Sequence, residues 1–168
     1  VTVERLVQAG HQVTVFDNLE RGHRDAVHTD ATLIVGDLRN KEEIARVVGA
    51  VKPDAIIHFA AYAYVGESMQ DPLKYFENNV IGSLNLIHAA VAASVPKFIF
   101  SSSCATYGIP DQLPMTEETS QNPVNPYGES KLMVEKMLSW VRQIHGVEVV
   151  ILRYFNACGA TEELGEDH

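Results

Sequence analysis

Residues 97–108 read KFIFSSSCATYG, an apolar run that ends in three hydroxyls. A short run of this kind, apolar on successive residues, is the pattern of a parallel strand covered on both faces. Working outward, similar runs rich in β-branched residues occur at 12–16, 32–35, 55–59 and 148–154. With 97–101 they predict five strands. Between them lie segments with helical spacing at 3–9, 41–51, 71–93 and 127–145. Asn40 reads as an N-cap for Lys41-Glu42-Glu43, and Pro72 suits the first turn of the third helix. Strand and helix in alternation predict an α/β protein: a doubly wound parallel sheet with right-handed crossovers.

In such a fold the segment 3–9 should itself follow a strand and a glycine-rich turn. Neither precedes Val1, and the chain stops at GEDH with no closing element. The expectation is a partial NAD-binding Rossmann domain over 1–168, truncated at both ends relative to a working protein. The rest bounds the function classes. The chain has 168 residues, 46% of them hydrophobic and 21% charged, enough for an ordinary core. Its longest apolar runs are strand-length, well short of the roughly 20 residues that span a membrane. A formal net charge of −9 argues against a nucleic-acid partner. Two cysteines and no basic, apolar leader point to the reducing cytoplasm. The seven histidines lack ligand spacing, so no metal is expected. His58 reads as a satisfied core residue.

Open α/β sheets bind ligands at the carboxyl ends of their strands. The first strand ends in Asp17-Asn18, where an acid suits the ribose hydroxyls of NAD and would repel the extra phosphate of NADP. Opening a turn is an equally ordinary role for Asp17. The second ends near Asp37-Leu38, an acid for an adenine amine or again a turn. The third ends in Phe59-Ala60-Ala61, small residues that admit a flat ligand, or simply pack. The fourth ends in Ser101-Ser102-Ser103 and is joined by NPYGESK at 125–131. There Tyr127 and Lys131 stand at i and i+4, on one helix face. A neighbouring ammonium favours the phenolate, which predicts a lowered tyrosine pKa and a general base for a sugar hydroxyl. Tyr-x-x-x-Lys alone is a weak pattern; after a serine-rich strand end it is much stronger.

The stretches VFDNL, GDLRN, IIHFAA, VGESMQDPLKYFENNV, FIFSSSCATYG, NPYGESKLMVE and LRYFNACGA together resemble the extended short-chain dehydrogenase/reductases, and among them the UDP-sugar 4-epimerases. The resemblance runs in order along the whole chain. It implies an isomerase of galactose and nucleotide-sugar metabolism that interconverts UDP-glucose and UDP-galactose with a tightly held NAD. Ser103, Tyr127 and Lys131 would be its catalytic residues. Asp17, Asn18, Asp37 and Leu38 would hold the adenosine half of NAD, with Phe59, Ala60, Ala61, Asn78, Lys131 and Tyr154 along the rest. Phe155 and Asn156, with Ser103 and Tyr127, would meet the UDP-sugar. Tyr127 would take the C4 proton while C4 gives hydride to NAD, and both would return after the ketose turns over. Where one family variant has a lysine, this chain has Ala63. The stretch Cys104-Ala105-Thr106 lacks the acid pair that a 4,6-dehydratase would want. A UDP-pentose 4-epimerase fits the motifs equally well. So does a non-catalytic fragment, because the chain by itself is expected to be inactive. The stripes Leu132, Met133, Leu138 and Val141, with Leu84, Leu86 and Ile87, predict core, or in part a homodimer built as a four-helix bundle. Cys104 and Cys158 are expected to act as small buried hydrophobes.

Overall fold

The computed structural model describes residues 1–157 and residue 160. In chain order the elements are α1 Thr2–Gln8, β1 Thr14–Asp17, β2 Thr32–Val35, α2 Lys41–Val51, β3 Ile56–His58, α3 Val65–Gln70, α4 Pro72–Tyr75, α5 Gly82–Ala92, β4 Lys97–Ser103, α6 Pro126–His145 and β5 Glu148–Tyr154. Short 3-10 turns lie at Arg24–Ala26 and Cys104–Thr106, and a π-helical turn, Phe76–Ile81, joins α4 to α5. All strand pairs are parallel. Parallel strands with helices between them make this the doubly wound α/β fold, as expected. The strands form two sheets, β1-β2 and β3-β4-β5.

The chain divides into two compact units. One is built on Val1–Asp37 and includes Asn156; the other is Leu38–Phe155. In the first, β1 and β2 run in register from Thr14↔Thr32 to Asp17↔Val35. The amide of Gly36 then closes on the Asp17 carbonyl at 3.0 Å, which carries the pairing to the strand ends.

The larger unit holds the core. On β4, Phe98 and Phe100 are 2% and 1% exposed, and Val134 and Leu138 of α6 are fully buried. Each aromatic side chain removed from water in this way contributes about 2–3 kcal/mol. Ile44, Val47 and Val48 of α2 and Leu86, Ile87, Ala89 and Ala90 of α5 bury the facing stripes of two packed helices. The helix ends follow their sequences. Asn40 caps α2 through Glu43 N at 3.1 Å. Asn125 caps α6 through Gly128 N at 2.8 Å, Pro126 follows it, and Gly146 closes the helix in the left-handed region at φ 70°. Of the stripes expected as core or in part as a dimer face, Leu84 and Met133 are exposed, at 37% and 40%. Trp140 and Ile144 are exposed on α6 as well.

Three local features differ from the sequence expectation. The serines continue β4 to Ser103 because each pairs with β5, Ser101↔Leu152 through Ser103↔Tyr154. The segment expected as one helix over 71–93 starts at Pro72 and passes through the π turn. The backbone stays helical at both joins, Phe76 (−67°, −42°) and Gly82 (−58°, −45°). The extra residue in that turn rotates Asn79 inward, where it is 2% exposed. Helix α3 falls between the segments that the sequence pattern marks, and it has no capping side chain. Contacts from outside hold it: Lys74 Nζ pairs with Glu67 at 2.8 Å, and the Tyr75 hydroxyl lies 2.8 Å from the other Glu67 oxygen.

Candidate functional site

Ser103, Tyr127 and Lys131 come together in the larger unit. Ser103 ends β4 and its hydroxyl accepts from Ala105 N at 3.1 Å, turning the chain into the 3-10 turn. Tyr127 and Lys131 share one face of α6. Lys131 is 3% exposed. Its ammonium donates to the Ser101 carbonyl at 2.8 Å and lies 5.0 Å from the centre of the Phe100 ring. The Tyr127 ring stands edge-to-face with Tyr75, centroids 6.5 Å apart. Tyr75 is itself fully buried, its hydroxyl 2.7 Å from the Tyr64 carbonyl. The parallel register sets Tyr154 beside Ser103. Phe155 follows it and is exposed.

Burial decides the protonation states here. It pushes the Tyr127 phenol above its ordinary value, hydrogen bonding to Ser103 opposes the rise, and the Cys104 thiol adds to it. This corrects the expectation that the ammonium of Lys131 would pull the phenol down. That ammonium is engaged by Ser101 and lies 5.9 Å from the Tyr127 ring centre, so desolvation wins. The same burial pushes Lys131 down to about 8. Between that value and the ordinary one the unfolded chain binds more protons than the folded one. Stability therefore rises with pH across that window, and the cost of the buried charge is fully present below it. Beneath Lys131, burial and then the Lys131 charge push His58 down to about 3. Its neutral ring bonds the Ser83 hydroxyl at 2.7 Å and packs on Phe100.

A titration follows from these directions. In the full-length protein without added cofactor, the phenolate absorbance lost on replacing Tyr127 by phenylalanine is expected to appear at higher pH than that of an ordinary tyrosine. A Tyr127 component ionising near neutral pH would show that Lys131 does dominate.

Asn79 is a supporting residue that the sequence reading missed. Its side chain accepts from Tyr62 N at 2.8 Å, donates to Tyr62 O at 2.9 Å and reaches Ser130 Oγ at 3.1 Å. It thereby ties the chain just after Ala61 to the residue before Lys131. The signal was the pair of adjacent asparagines within the helical run at 71–93. Asn78, half-buried, donates to Asn79 Oδ1 at 3.0 Å. Phe59 and Ala60 are exposed at the end of β3 with Ala61 half-buried, and Leu38 lies 3.2 Å from where a Cβ on Gly82 would stand. Cys104 is half-exposed, not a buried hydrophobe, because the 3-10 turn lifts it from the strand. Cys158 lies outside the described residues.

The smaller unit brings together Asp17, Asn18 and Asp37. Asp17 Oδ1 accepts from Leu19 N at 2.7 Å, so the carboxylate does open a turn. Asn18 donates to Asp37 Oδ2 at 3.2 Å. Gly22 lies over the Asp17 carboxylate, where a Cβ would stand 3.1 Å from one oxygen and 3.2 Å from the other. Any side chain at 22 would crowd that half-buried carboxylate. Asn156 is exposed. Among the described residues no three or more His, Cys, Asp or Glu gather as a metal site, and no helix is long and apolar enough to cross a membrane.

The profile of the NAD dependent epimerase/dehydratase family matches residues 1–168. The chain is 46% identical over 168 residues to a UDP-glucose 4-epimerase of Lactobacillus helveticus, an alignment that covers 99% of this chain and 51% of the relative. It superposes with a TM-score of 0.95 on the crystal structure of UDP-glucose 4-epimerase from Brucella ovis in complex with NAD, at 46% identity over 99% of this chain and 52% of that one. The corresponding figures are 0.93, 37%, 99% and 53% for the enzyme of Bifidobacterium longum in complex with NAD+ and UDP. The chain spans about half the length of the curated relatives it matches.

Proposed function

The chain belongs to the NAD dependent epimerase/dehydratase family, and from that premise we propose that its full-length protein interconverts UDP-glucose and UDP-galactose, with NAD as a recycled prosthetic group. One observation carries the reading: Ser103, Tyr127 and Lys131 meet at the carboxyl end of β4, with Tyr154 in register beside Ser103. The residues present fit NAD. The half-buried carboxylate of Asp17, with the amide and acid of Asn18 and Asp37, is a donor and acceptor set suited to a ribose diol and an adenine amine. Small, exposed Ala60 suits a flat ring, and Asn78 and Lys131 offer further donors. The cofactor supplies reversible hydride acceptance.

The chain's own work is to bind, orient and handle one proton. Tyr127 Oη exchanges that proton with the sugar's C4 hydroxyl. Ser103 Oγ holds the same oxygen, and the Lys131 ammonium stabilises the phenolate once substrate draws the proton off. Because the phenol stands high in the uncomplexed protein, bound ligands must supply part of its activation. Phe155 and Asn156, both exposed, are offered as contacts to the sugar on the strength of the family resemblance. The hexose is favoured over a pentose by the names of the relatives. A homodimer is supported by the exposed apolar side chains Leu84, Met133, Trp140 and Ile144 on α5 and α6. The reducing cytoplasm is the compartment we assign, from the cysteine usage. Activity is assigned to the full-length protein and not to residues 1–168 alone, which we read as its partial Rossmann domain.

Full-length protein loaded with NAD and given UDP-glucose should form UDP-galactose without net consumption of NAD. It should hold an NADH-like absorbance during turnover. No UDP-galactose from fully loaded protein would refute the assignment.

A further inference from the structure

Glu135 stands one helical turn beyond Lys131 and two beyond Tyr127 on α6. It is 5% exposed, yet both its oxygens are occupied. Oε1 accepts a short hydrogen bond from the Ser102 hydroxyl and a second from Arg153 Nε at 3.1 Å. Oε2 accepts from the Arg153 NH2 group at 2.8 Å and from Gln121 at 2.9 Å. Arg153 goes on to the Tyr107 hydroxyl at 2.8 Å and the Glu117 carbonyl at 3.2 Å. One carboxylate thus binds α6 to the ends of β4 and β5 and to the chain between β4 and α6.

The partners are placed in a telling way. Ser102 precedes Ser103 and Arg153 precedes Tyr154, and Ser102↔Arg153 and Ser103↔Tyr154 are successive rungs of one ladder. Side chains alternate faces along a strand, so Glu135 grips the rung just behind the one that carries the site. A buried ion pair is weak evidence of stabilisation, since packed hydrophobes do as well. What it does is fix one geometry. The carboxyl is held ionised for that purpose: burial alone would raise it, but hydrogen bonds from Arg153, Ser102 and Gln121 hold it below its ordinary value.

We propose that Glu135 is a positioning residue that locks α6 against the ends of β4 and β5 and so sets where the Tyr127 hydroxyl stands relative to Ser103. The proposal rests on the assignment of Tyr127 and Ser103 given above. A displacement of about 1 Å at a reacting group can cost 10²-fold in rate. Because Ser103 hydrogen bonding is what draws the phenol down, loosening the lock must also let the phenol rise.

The test uses Glu135→Gln in the full-length protein, with two readouts: kinetics per bound NAD, and the Tyr127 phenol titration taken as the difference from Tyr127→Phe. The expected result is kcat lowered by about 10- to 100-fold at unchanged KM, and a phenol that ionises at higher pH than in the parent. A phenol that titrates where the parent's does would overturn the proposal, whatever the rate does. If the parent shows no epimerisation, the functional assignment fails while the titration still decides the role of Glu135. Should Glu135→Gln fail to fold, Ser102→Ala removes a single tether, leaves the Arg153 pair intact, and is read the same way.

Discussion

Tyr127→Phe is expected to lower turnover of the full-length protein by about 10²- to 10⁴-fold, the range for losing a positioned general acid–base. NAD content should stay at the parental level. The substitution deletes one oxygen and leaves the ring, so the edge-to-face contact with the buried Tyr75 persists and the fold loses little. What disappears is the group that shares a hydrogen bond with Ser103 and exchanges the proton of the sugar. The residues proposed for the adenosine half of NAD lie elsewhere in sequence, at 17, 18, 37 and 38. Stopped assays with UDP-galactose, alongside quantitation of nucleotide released on denaturation, separate the two effects. A variant retaining more than about a tenth of parental turnover would remove Tyr127 from the role of base.

The second large effect comes from a single methyl group. Gly128 follows Tyr127 in the first turn of α6, where helix propensity alone says that alanine should stabilise by about 1 kcal/mol. The structure reverses that sign. A Cβ at Gly128 would stand 2.4 Å from the Ala105 carbonyl oxygen and 2.9 Å from its carbon. Those are backbone atoms of the turn that follows Ser103, so no flexible side chain can give way. Gly128→Ala should therefore push the start of α6 off that turn, costing about 1–3 kcal/mol as overpacking does. Tyr127 would move away from Ser103 with it. Gly49→Ala is the internal control: it also lies in a helix, and nothing stands within 4 Å of its Cβ position. Thermal unfolding of the full-length variants should show Gly128→Ala lowered and Gly49→Ala equal or raised. A Gly128→Ala protein as stable and as active as its parent would mean that the close approach is wrong.

These cases also show what could be read before any coordinates. The strands at 32–35 and 148–154 have the expected bounds because short runs centred on β-branched and apolar residues leave few other readings. Tyr127 and Lys131 share a helix face because spacing alone dictates it. The rest depends on what lies opposite. Nothing in NPYGESK says that Gly128 abuts a carbonyl, or that burial outweighs a nearby ammonium at Tyr127. The π turn was hidden because its residues are as helix-compatible as their neighbours. Nothing in the spacing of α6 singles out Glu135, whose role depends on Ser102 and Arg153 both donating to its carboxylate.

The sequence holds one tryptophan, Trp140, and α6 presents it at 63% exposure. A lone indole in that position is an intrinsic fluorophore whose emission colour reports the polarity of its surroundings without any label. Dilution, salt or a second copy of the chain arriving at that face would each be visible in the same spectrum, independently of the chemistry at the other end of the helix.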